Sequence, residues 1–294
     1  MPSLEALVDS DIEVALVVTN PDRPAGRKLE LQPPPVKRAA TEVGIEVMQP
    51  AKARDPELHD RLRRLQPDVA TVVAYGKILP PSLLEIPRLG FVNLHFSLLP
   101  AYRGAAPVQR ALMEGVDETG VTIMLLTEGM DEGPILATRR TAVGDGESAG
   151  PLGARLARDG AELLVETLRR YGDGAIEPRE QDHDQATYAP KITSDEARID
   201  WSRPAAEIRN LVRGLNPAPG AWTTFRGTRL KVLEAREVSS DGGEPGRLAP
   251  GSGLVVETGA GALELLGVQP AGKRAMSGED LARGLRPAAG EVME

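Results

Sequence analysis

Gly-Phe-Val-Asn-Leu-His-Phe-Ser-Leu-Leu-Pro-Ala-Tyr-Arg-Gly occupies residues 90–104, and its reading decides the fold. Side chains alternate across a β-strand with a period of two. On a strand over residues 90–98, Asn93, His95 and Ser97 share one face, while Val92, Leu94, Phe96 and Leu98 share the other. The apolar set can pack into a core. The polar set is expensive to bury unless something binds it. Pro100 and the Tyr102-Arg103-Gly104 turn end the strand, and residues 105–112 read as a helix. Strand, tight turn and helix is where α/β proteins place their sites, outside the carboxyl ends of the strands.

The polar row carries chemistry. An Asn amide donates to an oxygen that becomes negative in a transition state. An imidazole donates, accepts or passes a proton near neutral pH. Taken singly, either residue on a strand is more often a satisfied polar seam. A second unusual stretch, Glu-Gly-Met-Asp-Glu-Gly-Pro at 128–134, follows the apolar run 121–126. Alone, Asp131 reads as an ordinary Asx turn. Placed after that run, it can bring a carboxylate to the strand end. Ser97, His95 and Asp131 do not read as a hydrolase triad, because Ser97 lies two residues from His95 on one strand and no Gly-x-Ser-x-Gly elbow surrounds it.

The rest of the chain supplies a frame. Its 294 residues suffice for one large or two smaller domains. A hydrophobic content of 41% with 27% charged residues fits a soluble globular protein. No apolar run is long enough to span a membrane, and residues 1–5 lack a signal-peptide pattern. The absence of cysteine excludes disulfides and fits a cytoplasmic location. The three histidines, His59, His95 and His183, lack metal-ligand spacing, so no metal is expected. A net charge of −8 argues against a protein that coats nucleic acid, but leaves room for a local basic patch that grips one RNA.

In chain order, β-branched apolar runs at 12–19 and 68–74 read as buried strands, separated by helices at 36–43 and 55–65 and a short strand at 45–48. Asp55 is placed to cap the second helix, with Pro56 in its first turn; His59 sits on it among charges and reads as surface. Strands alternating with helices imply a parallel sheet with right-handed crossovers. Residues 20–35 form a long polar loop whose Arg23, Arg27 and Lys28 meet no acidic residue before Glu30. It is either a solvated loop or an arm that grips phosphates. Residues 152–171 have helical apolar spacing, with Gly172 as a stop. Residues 173–204 are polar and irregular, a linker that includes an exposed His183. A helix at 204–215 precedes short strands at 221–225, 230–235, 253–257 and 262–268 and a capped helix at 277–285, the pattern of a small β-barrel.

These stretches together resemble the folate-dependent formyltransferases. The resemblance is carried by Asn-Leu-His-Phe-Ser-Leu-Leu-Pro at 93–100, Arg-Gly-Ala-Ala-Pro-Val-Gln at 103–109, Gly-Val-Thr-Ile-Met at 120–124 and Met-Asp-Glu-Gly at 130–133. Asn-Pro-Asp-Arg-Pro-Ala-Gly-Arg at 20–27 and Asn-Pro-Ala-Pro-Gly-Ala-Trp at 216–222 resemble the branch that acts on initiator tRNA. It implies an α/β, Rossmann-like formyltransferase domain with a parallel sheet over residues 1–174, a linker over 175–203, and a C-terminal OB-like tRNA-binding barrel over 204–294. It implies transfer of a formyl group from 10-formyltetrahydrofolate to the α-amino group of methionine on initiator methionyl-tRNA, by a monomer.

The same resemblance assigns site residues. Asn93, His95 and Asp131 are the catalytic set, with Asn93 and His95 steadying the oxyanion and Asp131 orienting His95 and accepting a proton directly or through water. Tyr75, Gly76, Leu79, Ser97, Leu98, Pro100 and Gly129 would line the folate site, and Arg23, Arg27 and Lys28 the tRNA site. Formyltransferases acting on amino-sugar nucleotides share the central motif and are the alternative. Members normally begin with another strand and a Gly-Thr-Pro turn before the helix that opens this chain. The start at Met1 is therefore expected either to lie downstream of the natural one or to belong to a shortened form, a tRNA-binding remnant being the third reading. Phe96 stands where members often carry a small residue or proline.

Overall fold

The computed structural model describes residues 1–25, 30–240, 242–249 and 253–294. Helix α1 (Pro2–Val8) is followed by β1 (Val17–Val18), β2 (Arg23–Ala25) and β3 (Glu30–Gln32), then α2 (Pro35–Glu42), β4 (Val47–Met48), α3 (Pro56–Leu65), β5 (Ala70–Val72), α4 (Pro81–Leu84) and β6 (Phe91–His95). Next come α5 (Pro107–Glu114), β7 (Glu118–Leu125), β8 (Ile135–Ala142) and the long α6 (Ala149–Gly172). The chain closes with α7 (Ala205–Leu215), β9 (Ala221–Phe225), β10 (Thr228–Val238), β11 (Val255–Glu257), β12 (Ala262–Pro270), β13 (Met276–Ser277) and α8 (Gly278–Leu285). Two compact units result. The first comprises residues 1–104, 120–141 and 154–188, and the second residues 105–119, 142–153 and 189–294.

In the first unit, β1 runs parallel to β4, and β5 runs parallel to β6 with Val72 opposite Asn93. Each pair is joined through a helix, as parallel strands require. β6 pairs antiparallel with β7, placing Asn93 against Met124 and His95 against Thr122, and β8 extends the sheet in the order β5-β6-β7-β8. This is a Rossmann-like layout whose parallel strands carry an antiparallel edge. The alternation along β6 is realised. Leu94 turns toward α6, where a Cβ on Gly160 would stand 2.7 Å from its Cδ1, and Asn93 and His95 point the other way. Leu58, Leu62, Leu83 and Phe91 form the core against Val18, Met48 and Val72. Each such fully buried side chain contributes about 1.5–3 kcal/mol.

Local rules explain most boundaries. The Asp55 carboxylate accepts from Glu57 N at 3.0 Å, capping α3 as expected. His59 on that helix departs from expectation: it is buried, because its ring Nε2 reaches Ala53 O at 3.0 Å and turns the imidazole inward. The described residues on either side of 26–29 are not plain loop. β2 and β3 form an antiparallel hairpin with Arg23 opposite Gln32. Its base is pinned by Asp22, which accepts from Lys37 at 2.9 Å and from Gln49 at 2.6 Å.

In the second unit, α5 packs on α7. A Cβ on Gly214 would come within 2.8 Å of Met113, so only glycine allows that approach. β9 and β10 form a hairpin whose two-residue turn, Arg226 (φ 48°) and Gly227 (φ 71°), has the positive dihedrals of a type I′ turn. β10 pairs with β12, and β12 with β11 and β13, all antiparallel, with a register shift near Val232–Glu234 that bends the sheet. Ser277 caps α8 through Asp280 N at 3.1 Å. Five antiparallel strands and a capping helix give an OB-like half-barrel around Val232, Leu254, Leu263 and Val268.

Candidate active site

The first unit assembles its site from the end of β6, the turn after it, and the turn between β7 and β8. The strand ends at His95, earlier than the alternation alone suggests, because the next residues close on themselves. Ser97 Oγ donates to Ala101 O at 2.6 Å. Thr122 Oγ1 donates to Ser97 O at 2.7 Å and accepts from Leu99 N at 3.1 Å. Ser97 is thus fully buried and spent on the turn, so it does not share an open face with Asn93 and His95. Leu98 lies over Gly120, where a Cβ would be 2.6 Å from Leu98 Cδ2 and 2.2 Å from Arg139 O.

His95 is 5% exposed. Its Nε2 lies 2.9 Å from the carbonyl oxygen of Tyr102. A carbonyl only accepts, so Nε2 carries the proton and the other nitrogen, Nδ1, is left for chemistry. Nδ1 faces Oδ2 of Asp131 at 3.6 Å, in charge-pair range and beyond a hydrogen bond. Burial pushes the His95 pKa below the usual imidazole value, while the Asp131 charge and the Tyr102 carbonyl oppose that shift. The imidazole is therefore neutral near pH 7, with a lone pair on Nδ1. Asp131 is held by Gly104 N, which donates to its Oδ2 at 2.8 Å. Asp131 (φ 50°) and Tyr102 (φ 61°) both occupy the left-handed region. For residues other than glycine that conformation is uncommon, and it gathers at functional sites.

Asn93 is buried beside His95 on the same face of β6, and its amide makes no hydrogen bond among the described residues. Tyr75 carries a second unspent donor: its hydroxyl is buried without a partner among the described residues, and burial pushes its pKa up. The segment that bears it is tied to the hairpin base, Asn20 Nδ2 donating to Tyr75 O at 3.3 Å. Buried polar groups are normally paired. The unspent Asn93 amide, on the same face of β6 as His95, fits a polar co-substrate.

The other expected site residues are placed as follows. Gly76 is exposed with open space around it, and Leu79 is packed in the core. Pro100 offers its carbonyl to Thr187 N at 3.3 Å. Gly129 lies in the Asp131 turn against the Glu132 carboxylate. Arg23 is exposed on the hairpin; Arg27 and Lys28 lie outside the described residues. The structure thus joins His95 to Asp131 and sets Asn93 alongside on β6. Sequence reasoning missed Tyr102 and Gly104, whose backbone groups hold the pair, and Thr122, which staples the turn. It also missed Gln181 and Arg103, both buried, for which the only signal was an arginine inside the Arg-Gly turn.

Comparison with known proteins gives a consistent picture. Residues 3–168 match the family model described as formyl transferase, and residues 191–286 match the formyl transferase C-terminal domain. The chain is 49% identical to the methionyl-tRNA formyltransferase of Streptomyces griseus, over 100% of this chain and 96% of that protein. It is 48% identical to that of Thermobifida fusca, over 99% and 94%, and 49% identical to that of Chloroflexus aurantiacus, over 94% and 90%. Among solved structures, the sugar 3N-formyl transferase WlaRD superposes with a TM-score of 0.68 at 15% identity, covering 93% of this chain and 94% of that one. HypX from Aquifex aeolicus in complex with tetrahydrofolic acid superposes at 0.64 with 18% identity, covering 94% and 48%. At those identities the two structures speak for the fold alone.

Proposed function

The chain belongs to the formyl transferase family, and on that premise we propose that it transfers a formyl group from 10-formyltetrahydrofolate to the α-amino group of methionine on initiator methionyl-tRNA. The observation that carries this reading is near-50% identity along the whole chain to proteins named for that reaction. The likeness to a sugar formyltransferase is one of fold.

The chemistry follows from the residues. A free α-amine titrates near about 7.7–8.0, so a neutral nucleophile is readily available near neutral pH. As its nitrogen attacks the formyl carbon, the carbonyl oxygen becomes negative and the amine becomes acidic. Asn93 donates its free amide N–H to that oxygen. Removing one such donor typically costs about 100- to 1000-fold in rate. Nδ1 of His95 takes the amine proton, and the adjacent Asp131 carboxylate stabilises the imidazolium that results. His95 then returns the proton from Nδ1 to N10 of the folate as the C–N10 bond breaks. The amide forms, tetrahydrofolate leaves, and His95 is neutral again. With Nε2 held by Tyr102, one nitrogen performs both transfers.

The folate lies along residues 74–80 and 126–133, where the Tyr75 hydroxyl is unspent. Arg23, with Arg27 and Lys28, grips phosphates of the tRNA acceptor end, and the C-terminal barrel supplies a second tRNA surface. Formyl transfer assayed with methionyl initiator tRNA and, in parallel, with an amino-sugar nucleotide tests the proposal. Transfer to the sugar alone overturns it.

A further inference from the structure

Asp131 is aimed at His95 by a turn whose backbone accepts, among the described residues, from one side chain of a distant stretch. Gln181 is 5% exposed. Its Nε2 donates to Asp131 O at 2.9 Å and to Gly133 O at 2.7 Å. Its Oε1 accepts from Arg103 Nε at 3.1 Å and from the same guanidinium's terminal nitrogen at 2.7 Å. The orientation of this amide is forced on both sides: a guanidinium only donates and a carbonyl only accepts. Arg103 is 3% exposed, and among the described residues it meets no carboxylate; its remaining side-chain contact is His183 Nδ1 at 3.2 Å. A buried cation that spends its hydrogen bonds on a neutral amide polarises it and strengthens the amide's own donors.

The surrounding chain works to the same end. Residues 135 and 179 exchange backbone hydrogen bonds at 2.7 and 2.9 Å. Thr187 accepts from Arg103 N at 2.9 Å and, through Oγ1, from Tyr102 N at 2.9 Å. Residues 179–187 therefore tie together the two turns that hold His95 and Asp131. That support bears on a turn in which Asp131 has a left-handed backbone (φ 50°), a conformation that gathers at functional sites.

We propose that Gln181 is a positioning residue for formyl transfer: its amide clamps the left-handed turn that aims the Asp131 carboxylate at Nδ1 of His95, and the buried Arg103 guanidinium fixes which way that amide points. This rests on the catalytic role given above to Asp131.

The test compares Gln181→Met, which keeps length and bulk without the amide, and Gln181→Glu, which keeps the acceptor toward Arg103 but offers no N–H to the two carbonyls. A misplacement on the order of 1 Å can cost about a hundredfold, so kcat is expected to fall about 10- to 100-fold in both variants with KM for either substrate little changed. The separate readout is side-chain ¹⁵N NMR of histidine, which is simple with three histidines in the chain. Asp131 is the one charged group paired with His95 among the described residues. In Gln181→Met the His95 titration midpoint is expected to fall as the carboxylate drifts away. Unchanged kcat, or a lower kcat and melting temperature with an unmoved His95 titration, overturns the proposal. If Gln181→Met does not fold, Gln181→Glu decides: native kcat overturns it. An Asp131→Asn control that retains full activity overturns the underlying role of Asp131 instead.

Discussion

Replacing Asp131 with Asn removes a charge and little else. The side-chain oxygen can still accept from Gly104 N, now at 2.8 Å, and Asn tolerates the left-handed backbone. What disappears is the negative charge 3.6 Å from Nδ1 of His95. At that separation the attraction to an imidazolium is about 4.6 kcal/mol for an effective dielectric of ~20 and about 1 kcal/mol in bulk water. His95 is buried and Asp131 only slightly exposed, so the upper part of that range applies. The imidazolium forms during the transfer, hence kcat is expected to fall about 100- to 1000-fold, at roughly 1.4 kcal/mol per decade. Asp131 opposes the burial that depresses the His95 pKa, so its loss depresses that pKa further. The acid limb of the kcat profile should therefore move to lower pH while its plateau drops. Single-turnover formyl transfer between pH 5 and 9, beside a melting curve, measures both. A folded variant with kcat within threefold of native, or an acid limb that moves up, would refute the assignment of Asp131 as electrostatic partner of His95.

Other expectations follow from the same structure. Thr122→Val leaves Ser97 O and Leu99 N without their buried partner, at about 1–3 kcal/mol each, so thermal melting should drop by several degrees and kcat should fall with it; an unchanged melting point would show that the staple is not needed. Arg23→Ala should raise KM for the tRNA but not for the formyl donor, and reduce the salt dependence of tRNA binding by about one ion; an equal effect on both KM values would contradict a phosphate role. Glu196 titrates at about 2 because Arg110 pairs with it, with Thr193 adding backbone and hydroxyl hydrogen bonds. Its folded pKa is depressed, so the stabilisation is present above the unfolded value near 4.5 and is lost as pH falls toward about 2. Glu196→Gln should accordingly lower the melting temperature at pH 7 by about 1–2 °C, and should make no difference near pH 2. Equal shifts at both pH values would rule out the ion pair as the cause.

The strand of the candidate site was legible because burial and period act together. A half-polar row with a two-residue repeat can only face one way, and Asn93 and His95 do share that side of β6. The strand's end was not legible, since Ser97 is diverted by a carbonyl four residues on and by Thr122 from the next strand. Asp131 announced itself through flanking glycines, and a Cβ on Gly133 would indeed stand 2.0 Å from Leu125 O. His59 was misread as surface because its neighbours are charged; the carbonyl that turns it inward belongs to Ala53, before the helix begins. Gln181 lay hidden in a polar stretch that reads as linker. Its partners are backbone oxygens 48 and 50 residues away, and backbone oxygens leave no trace in a sequence. The hairpin at Arg23–Ala25 and Glu30–Gln32 was read as a loop, because three-residue strands with a proline carry almost no periodic signal.

The most direct measurement is the initial rate of formyl transfer from 10-formyltetrahydrofolate to methionyl initiator tRNA, taken for the native chain and for Asn93→Ala, with an amino-sugar nucleotide as competing acceptor. The expected result is formylation of the tRNA alone, reduced about 100-fold or more in the variant. Formylation of the sugar nucleotide instead, or a folded Asn93→Ala chain as fast as the native one, would contradict the proposed reaction or the site assigned to it.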